Sequence, residues 1–324
     1  MSAAGHDASP ERFLATGADA DLPIVDAHHH IWDLDRNRHP WLTEEPPIPF
    51  RYGDYRALRR TYLVADYRRD AARQPIVATV YMEAEHDPAA PLRETAWLHE
   101  IAAREGLPDA MAGAAFLDRD DAAEVIRAQA RMPLVRSLRH KPKALPRADY
   151  APTHRLPGSM RCPHWRAGYR HLAESGLHFE LQTPWWHLPD AVELARDFPG
   201  TLIILNHLGL PSDRSPAALA AWREAMARLA EVRNVRVKLS GCCVPGQRWT
   251  PELQAPVVLA AVALFGAERC MVASNFPVDG LHATFDEIMD GMKAITAQLP
   301  RADRLRLFHG TAVETYRLGG ADPV

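Results

Sequence analysis

The sequence predicts a single α/β domain folded as a closed (β/α)8 barrel of the TIM type. Eight short apolar runs rich in β-branched residues recur along the 324 residues, and amphipathic stretches such as 190–198, 217–232 and 252–265 separate them. Strands that alternate with helices form right-handed βαβ units and a parallel sheet, and eight such units close a barrel. A doubly wound open sheet is the alternative, but no Gly-rich phosphate loop follows the first run. The predicted strands are 23–28, 76–83, 111–117, 134–140, 177–182, 202–207, 235–240 and 270–275.

The barrel is predicted to span residues 22–318, with a tail at each end. Residues 1–21 are small and polar, which predicts a disordered tail, and residues 319–324 are predicted to form a short C-terminal tail. The N-terminal segment lacks the basic start and the apolar block of a signal peptide. The four cysteines contain no C-x-x-C pair, so we expect reduced thiols and a cytoplasmic protein.

The charge and the hydropathy of the chain argue against several classes of partner. A formal net charge of −3 gives no electrostatic basis for binding nucleic acid or an anionic membrane. The apolar stretches end well before the roughly 18 residues that a membrane span needs. We therefore expect a small-molecule substrate as the partner, and a homo-oligomer is compatible with the sequence.

The first predicted strand ends in a His-x-His pair. The alternation of a strand places Asp26, His28 and His30 on one side, and Ala27 and His29 on the other. Two imidazoles at positions i and i+2 can converge on one metal ion or on one substrate. At the carboxyl end of a barrel strand, that side is the mouth of an active site.

Most of the other predicted strands also end in a polar residue, as the active sites of barrel enzymes require. Arg139, at the end of the fourth strand, suits bidentate capture of a carboxylate. Trp185 and Trp186 follow the fifth strand, where they either stack on a substrate or pack against the rim. The long connections 33–62 and 141–166 follow strand ends and are predicted to cover the substrate. The polar residues at strand ends are His28, His30, Glu83, Arg139, His140, Gln182, Asn206, His207, Ser240 and Asn275.

The seventh strand carries a lysine on its predicted inner face. Alternation places Arg236, Lys238 and Ser240 in the barrel interior. A charged lysine in the interior is costly unless it is paired or used in the chemistry. Glu180, on the inner face of the fifth strand, is a candidate partner. The pattern is equally compatible with a structural ion pair and with a lysine that takes part in the function.

Segments spread along the chain form a recognisable set. They are IVDAHHHIWD at 24–33 with PWL at 40–42, LRH at 138–140, NHLGLP at 206–211, VKLSG at 237–241, SNFPV at 274–278 and FHGTA at 308–312. Together they resemble the amidohydrolase superfamily, in the amidohydrolase-related branch of sugar-acid lactonases and 2-pyrone-4,6-dicarboxylate lactonase. The resemblance covers residues 22–318, and it is more specific for the fold than for the substrate.

The resemblance implies a distorted (β/α)8 barrel that hydrolyses a cyclic ester bearing carboxylate or hydroxyl groups. His28 and His30 match the His-x-His pair that binds a divalent metal such as Zn²⁺ or polarises the substrate. Arg139 and His140 match contacts to a substrate carboxylate and carbonyl. His207 matches the histidine of the sixth strand.

The eighth strand departs from the family pattern. The family usually has Ser-Asp-Trp-Pro there, with the Asp as base for the attacking water, whereas this chain has Asn275. An amide cannot take a proton near neutral pH, so Asn275 is expected to orient the water or the lactone oxygen. Asn206 similarly replaces a common Asp beside His207. The His-x-His pair argues for a metal and the lost carboxylates argue against one, so metal dependence is left open.

The expected function is the hydrolytic opening of a lactone of a small carboxylated or sugar-acid substrate. A decarboxylase or other carbon–carbon lyase of the same superfamily is one alternative, and a non-catalytic ligand-binding relative is another. Lys238 is expected to add positive charge to the site. The candidate catalytic residues are His28, His30, Glu83, His207 and Asn275, and the candidate substrate-binding residues are Arg139, His140, Gln182, Trp185, Trp186 and Lys238.

Overall fold

The computed structural model, which describes residues 8–319, shows one barrel of eight parallel strands in the order of the chain. Backbone hydrogen bonds close it between the first strand and the segment after the eighth, from Asn275 N to His28 O at 2.8 Å and from His30 N to Phe276 O at 2.7 Å. The predicted fold class is confirmed, and each predicted strand overlaps an observed one. The strands are β1 (Ile24–His29), β2 (Ile76–Met82), β3 (Ala110–Ala114), β4 (Val135–Arg139), β5 (His178–Leu181), β6 (Ile203–Leu205), β7 (Val235–Leu239) and β8 (Cys270–Val272).

Helices surround the sheet, and several begin at side-chain caps that the sequence supplies. Ser215 and Thr250 each accept a hydrogen bond from a backbone N–H of the first turn and are followed by proline, and Thr284 forms a capping box with Glu287. The helices are α1 (Pro10–Thr16), α2 (Pro40–Thr43), α3 (Val64–Asp70), α4 (Arg93–Glu105), α5 (Ala122–Ala130), α6 (Pro163–Tyr169), α7 (His171–Glu174), α8 (Leu188–Asp197), α9 (Pro216–Ala230), α10 (Pro251–Phe265), α11 (Phe285–Ile295), α12 (Arg301–Leu305) and α13 (Thr311–Tyr316).

The N-terminal segment corrects one expectation. Residues 1–21 were expected to be a disordered tail, but α1 is an ordered helix capped by Ser9. Phe13 is fully buried and lies beneath the guanidinium of Arg304, which also pairs with Asp19 at 2.6 Å. One buried aromatic ring thus docks a short polar helix, and composition alone did not reveal it. Residues 1–7 and 320–324, which hold most of the predicted C-terminal tail, lie outside the described residues.

The C-terminal helix α13 closes the amino-terminal end of the barrel. The inner residues at the starts of three strands all bind it: Arg136 Nε donates to Tyr316 O at 2.9 Å, His178 Nε2 lies 3.0 Å from Thr315 O, and Arg236 bonds Thr315 Oγ1. Tyr316 packs inside the barrel with small apolar side chains of the strands. The carboxyl ends of the strands therefore form the open face, where barrel enzymes hold their active sites.

A bulge in β1 changes which side chains of the His-x-His segment share a face. Asp26 pairs with Thr79 and His29 pairs with Tyr81, so three steps along β1 match two along β2. The prediction that Asp26 lies beside His28 and His30 is therefore wrong. Its carboxylate instead accepts hydrogen bonds from Ser274 Oγ at 2.6 Å and from Tyr67 of α3 at 2.8 Å.

Candidate active site

Three buried histidines come together at the open face of the barrel. The ring centroid of His28 lies 5.1 Å from that of His30 and 4.6 Å from that of His207. The bulge in β1 presents the first two, and the turn after β6 presents the third. The sequence placed these residues at strand ends, and the structure brings them into one cluster.

Hydrogen bonds orient two of the three imidazoles. His30 Nδ1 lies 2.8 Å from Met82 O, and His207 Nδ1 lies 3.0 Å from Ser240 Oγ. Because Nδ1 is engaged in both rings, their Nε2 atoms are the ones available to a substrate or a metal. His28 is fully buried, and neither of its ring nitrogens has a partner among the described residues.

Burial keeps the cluster neutral. It lowers the pKa of His28, His30 and His207 well below the usual value of 6.5, and nearby cations act in the same direction. The Lys238 ammonium has this effect on His28, and the Arg139 guanidinium has it on His30. All three rings therefore keep a lone pair near pH 7, as a general base or a metal ligand requires.

The backbone at His207 and at Asn275 is locally strained. His207 and Leu208 have φ of 56°, and Asn275 has φ of 54°. Such left-handed conformations are unusual outside glycine, although Asn adopts them more readily than most residues. Gly241 leaves the space that His207 fills, because a Cβ at Gly241 would lie 2.3 Å from His207 Nδ1.

A buried ion pair forms the floor beneath the histidines. Lys238 Nζ lies 3.0 Å from Glu180 Oε2, and both side chains are fully buried. Glu180 also accepts hydrogen bonds from Ser137 at 3.1 Å, Asn206 at 2.7 Å and Tyr316 at 2.6 Å. The predicted pairing of Lys238 with Glu180 is thus confirmed. The Nζ of Lys238 is enclosed within the barrel, where Glu180 balances its charge.

A second ion pair stands at the mouth, between β2 and β4. Arg139 Nε donates to Glu83 Oε1 at 2.5 Å, and its Nη2 donates to the backbone oxygen of Glu83. The remaining nitrogen, Nη1, lies 3.4 Å from Gln182 Oε1. Both charged side chains are almost fully buried. Arg139 is therefore already neutralised by Glu83 and is not a free guanidinium.

A cavity of about 590 Å³ opens beside this ion pair. Its walls include the rings of Trp41 and Phe116, the imidazoles of His86 and His140, and a further ion pair between Lys141 and Glu85. Both ring nitrogens of His86 are buried without a partner among the described residues. His140 Nδ1 accepts hydrogen bonds from Leu117 N and Trp165 Nε1, both at 3.1 Å, which leaves its Nε2–H to donate.

The long connection after β1 covers the mouth, as predicted. Arg51 donates to the backbone oxygen of Gly241 at 3.2 Å, and Tyr52 bonds to Asp279 at 3.1 Å. Trp186 lines a small cavity with Arg51 and Tyr52, and its Nε1 donates to Leu145 of the second long connection at 2.9 Å. Trp185 instead lies beneath Arg147, whose guanidinium carbon is 4.6 Å from the ring centroid.

Asp279 is a buried acid at the site that sequence reasoning missed. Its Oδ1 accepts from Asn275 Nδ2 at 2.6 Å and its Oδ2 from Gly241 N at 3.1 Å. Burial raises the pKa of this carboxyl group, and the nearby Arg51 acts in the opposite direction. The sequence does hold a signal for Asp279: the acid expected at position 275 is absent, and Asp279 is an acid four residues later.

The three imidazoles of the histidine cluster are of the ligand type that holds a divalent metal ion, although among the described residues only His154, His187 and Asp190 bring three ligand atoms within 4.8 Å of one another. Neutral imidazoles are ordinary zinc ligands, and His28 has two buried, unpartnered ring nitrogens. His30 and His207 hold their Nδ1 atoms in the way that orients a metal-bound imidazole. The set has no carboxylate, because Asn275 stands where the family pattern has Asp.

A different cluster, made of His154, His187 and Asp190, also has the residue types of a metal site. Asp190 Oδ2 lies 2.9 Å from His154 Nε2 and 2.8 Å from His187 Nδ1, while Oδ1 accepts from Tyr150 at 3.0 Å and Arg161 at 2.5 Å. The carboxylate is thus fully used by donors that include a guanidinium. We interpret this cluster as the clamp that holds the connection 141–166 against α8.

Comparison with known proteins identifies the family. The amidohydrolase family model matches residues 25–318. The chain belongs to the amidohydrolase family. It is 38% identical over 300 residues to the uncharacterized protein y4mH of Sinorhizobium fredii (strain NBRC 101917 / NGR234), covering 92% of this chain and 100% of that protein.

Two further relatives carry more descriptive names. An L-fucono-1,5-lactonase of Burkholderia multivorans (strain ATCC 17616 / 249) is 28% identical over 313 residues, covering 91% of this chain and 96% of that protein. The crystal structure of an amidohydrolase from Burkholderia multivorans with bound zinc is 25% identical and superposes with a TM-score of 0.75, covering 91% of this chain and 99% of that one. No helix within residues 8–319 is long and apolar enough to span a membrane.

Proposed function

We propose that this amidohydrolase opens the lactone of a small sugar acid by adding water to the ester carbonyl. The observation that carries the proposal is the cluster of three neutral imidazoles at the open face of the barrel. Such a cluster supplies a base for water and donors for the carbonyl oxygen. The L-fucono-1,5-lactonase among the relatives supports the same reaction class.

His207 is the proposed general base. With its Nδ1–H donated to Ser240 Oγ, its Nε2 takes a proton from water as the water oxygen bonds to the lactone carbonyl carbon. The carbonyl π electrons move to the oxygen, and the tetrahedral oxyanion then re-forms the carbonyl by breaking the ring C–O bond. The leaving alkoxide takes the proton back from His207. The product hydroxy acid ionises, so each turnover releases one proton to the medium near pH 7.

His28 and His30 are the proposed electrophilic side of the site. A ring N–H of His28 directed at the carbonyl oxygen stabilises the oxyanion, whereas His30, whose Nδ1–H donates to Met82 O, presents the lone pair of its Nε2. A divalent ion such as Zn²⁺ bound by His28 and His30 would supply Lewis-acid polarisation of the same oxygen. Glu83 is held against Arg139, which suits it to position the substrate and leaves the base role to His207.

The charge balance of the cavity favours a sugar-acid lactone over a dicarboxylate. Arg139 pairs with Glu83, and Lys141 pairs with Glu85. The cavity walls therefore have no excess positive charge to bind the second carboxylate of a dicarboxylate substrate. The aromatic rings of Trp41 and Phe116 in the cavity wall suit the apolar face of a ring-shaped substrate. We therefore propose that Arg139 holds Glu83 in place through their ion pair, and that it does not capture a substrate carboxylate as the sequence suggested.

The test is a pH-indicator hydrolysis screen on the purified protein. The panel contains sugar-acid lactones, muconolactones and pyrone carboxylates, each with and without a chelator. Proton release from sugar-acid lactones supports the proposal, and loss of that release on chelation shows that a metal takes part. No release from any lactone would contradict the proposal, and carbon dioxide release from an aromatic acid would then support the decarboxylase alternative.

The cellular setting is also a proposal. The absence of C-x-x-C pairs and the four buried, unpaired cysteines agree with a reducing compartment, and we propose the cytoplasm. A homo-oligomer stays a prediction that size-exclusion chromatography with light scattering would test.

A further inference from the structure

The side chains of Asn275 and Asp279 form a hydrogen-bonded pair at the edge of the histidine cluster. Asn275 Nδ2 donates to Asp279 Oδ1 at 2.6 Å, and the backbone N–H of Asp279 donates to the oxygen of Asn275 at 3.0 Å. The backbone bond places the two side chains one turn apart on the same side. Both are almost fully buried.

The carboxylate fixes which end of the amide faces it. Asp279 receives three donors, from Asn275 Nδ2, Tyr52 at 3.1 Å and Gly241 N at 3.1 Å, and an ionised carboxylate only accepts hydrogen bonds. Asn275 must therefore turn its nitrogen toward Asp279 and its oxygen away. The bond to Asp279 uses Nδ2, which leaves Oδ1 as the end of the amide that can accept from another donor.

The backbone of Asn275 gives the amide little freedom to move. Its N–H donates to His28 O at 2.8 Å, which ties it to the strand end that presents the histidine cluster. Its φ of 54° lies in the left-handed region, which Asn adopts more readily than most residues. An oxygen held here accepts a hydrogen bond from a water molecule, whereas an amide nitrogen here would donate to that water and weaken it as a nucleophile.

We propose that Asp279 is a positioning residue that holds the Asn275 amide with its oxygen toward the site, where it accepts a hydrogen bond from the attacking water. The role of this amide toward the attacking water rests on the proposed hydrolysis. In this chain position 275 carries an amide, and the nearby carboxylate of Asp279 acts through it. The pair supplies a neutral acceptor, the Asn275 oxygen, after the eighth strand and leaves the carboxylate of Asp279 one residue pair further from the water.

The first arm of the test does not depend on any activity. The side-chain amide signals of Asn275 are recorded by ¹⁵N–¹H NMR of the full chain and assigned by their loss in Asn275→Asp. Asp279→Asn is expected to shift both signals. Tyr52→Phe, the matched control, removes another partner of the same carboxylate oxygen and is expected to shift the signals less than Asp279→Asn does. Signals that do not move in Asp279→Asn would overturn the proposal.

The second arm measures turnover of the lactone that the wild type hydrolyses best. Asp279→Asn is expected to lower kcat about tenfold with little change in KM, because the lost contact is made to the water and not to the substrate. The exchanged variant, Asn275→Asp with Asp279→Asn, rebuilds an amide–carboxylate pair and presents a carboxylate oxygen to the site. It is expected to recover most of the kcat.

The two arms separate the possible failures. An exchanged variant no better than Asp279→Asn, or an Asp279→Asn variant with wild-type kcat, would overturn the inference. If Asp279→Asn does not fold, the exchanged variant alone decides, and it must turn over faster than Asn275→Asp. If the wild type hydrolyses no lactone, the proposed function fails. The amide signals still decide whether Asp279 sets the orientation of the Asn275 side-chain amide.

Discussion

Removing the charge of Glu180 should cost this protein a large part of its stability. Glu180 and Lys238 are fully buried and lie 3.0 Å apart beneath the histidine cluster. Glu180→Gln keeps the shape of the side chain but leaves the ammonium without a counter-charge. Breaking a buried pair on one side typically costs about 3–5 kcal/mol. That loss is a large fraction of a stability of about 5–15 kcal/mol, which is the range of most proteins.

The partner substitutions make this a quantitative test. Lys238→Met leaves the Glu180 carboxylate with its three donors Ser137, Asn206 and Tyr316, so it should cost less than Glu180→Gln. The double variant has neither buried charge and should be more stable than Glu180→Gln. The free energy of unfolding is measured by urea titration monitored by circular dichroism, and the four proteins form a double-mutant cycle. A Glu180→Gln variant within about 1 kcal/mol of the wild type would refute the reasoning.

Three further predictions concern the mouth and the rim of the barrel. Arg139→Met leaves the buried Glu83 unpaired, so it should lower kcat/KM more than tenfold and lower the free energy of unfolding by about 3 kcal/mol. Kinetics and urea titration measure the two effects. A stable variant with full activity would contradict this prediction. Gly241→Ala places a Cβ 2.3 Å from His207 Nδ1 at a φ of 59°, so kcat should fall while Gly246→Ala, at an open position, should leave it unchanged. Burial lowers the pKa of His29 to about 3, whereas the same imidazole in the unfolded chain has a pKa of about 6.5. Below pH 6.5 the unfolded chain therefore binds one more proton than the folded protein. The free energy of unfolding should fall by about 1.4 kcal/mol for each pH unit below 6.5. The slope of unfolding free energy against pH should be shallower by one proton in His29→Phe, and an unchanged slope would exclude this assignment.

The barrel and most of the site could be predicted from the sequence because both follow from local patterns. Apolar runs bounded by polar residues fixed the strands, and the strand ends of a parallel barrel meet at one face. His28, His30 and His207 come together for that reason. Alternation along two strands also predicted that Lys238 meets Glu180, which the structure confirms.

The remaining features depend on tertiary structure. The bulge in β1 adds one residue to the strand, and alternation alone placed Asp26 on the wrong side. The docking of α1 depends on one ring, Phe13, finding a buried position. Arg139 was predicted to bind a substrate carboxylate, and its ion pair with Glu83 was not foreseen because the two residues follow strands that are distant in the sequence. Asp279 reaches the site only because the turn after β8 brings it under Asn275.

The measurement that tests the central claim most directly is proton release from a sugar-acid lactone by the wild type and by His207→Asn at pH 7. The account predicts wild-type turnover and a loss of at least about a hundredfold in kcat for His207→Asn, because an amide cannot take the proton of the attacking water. Equal urea midpoints of the two proteins would show that the loss is chemical. A folded His207→Asn variant with wild-type kcat, or a wild type inert toward every lactone, would contradict the account.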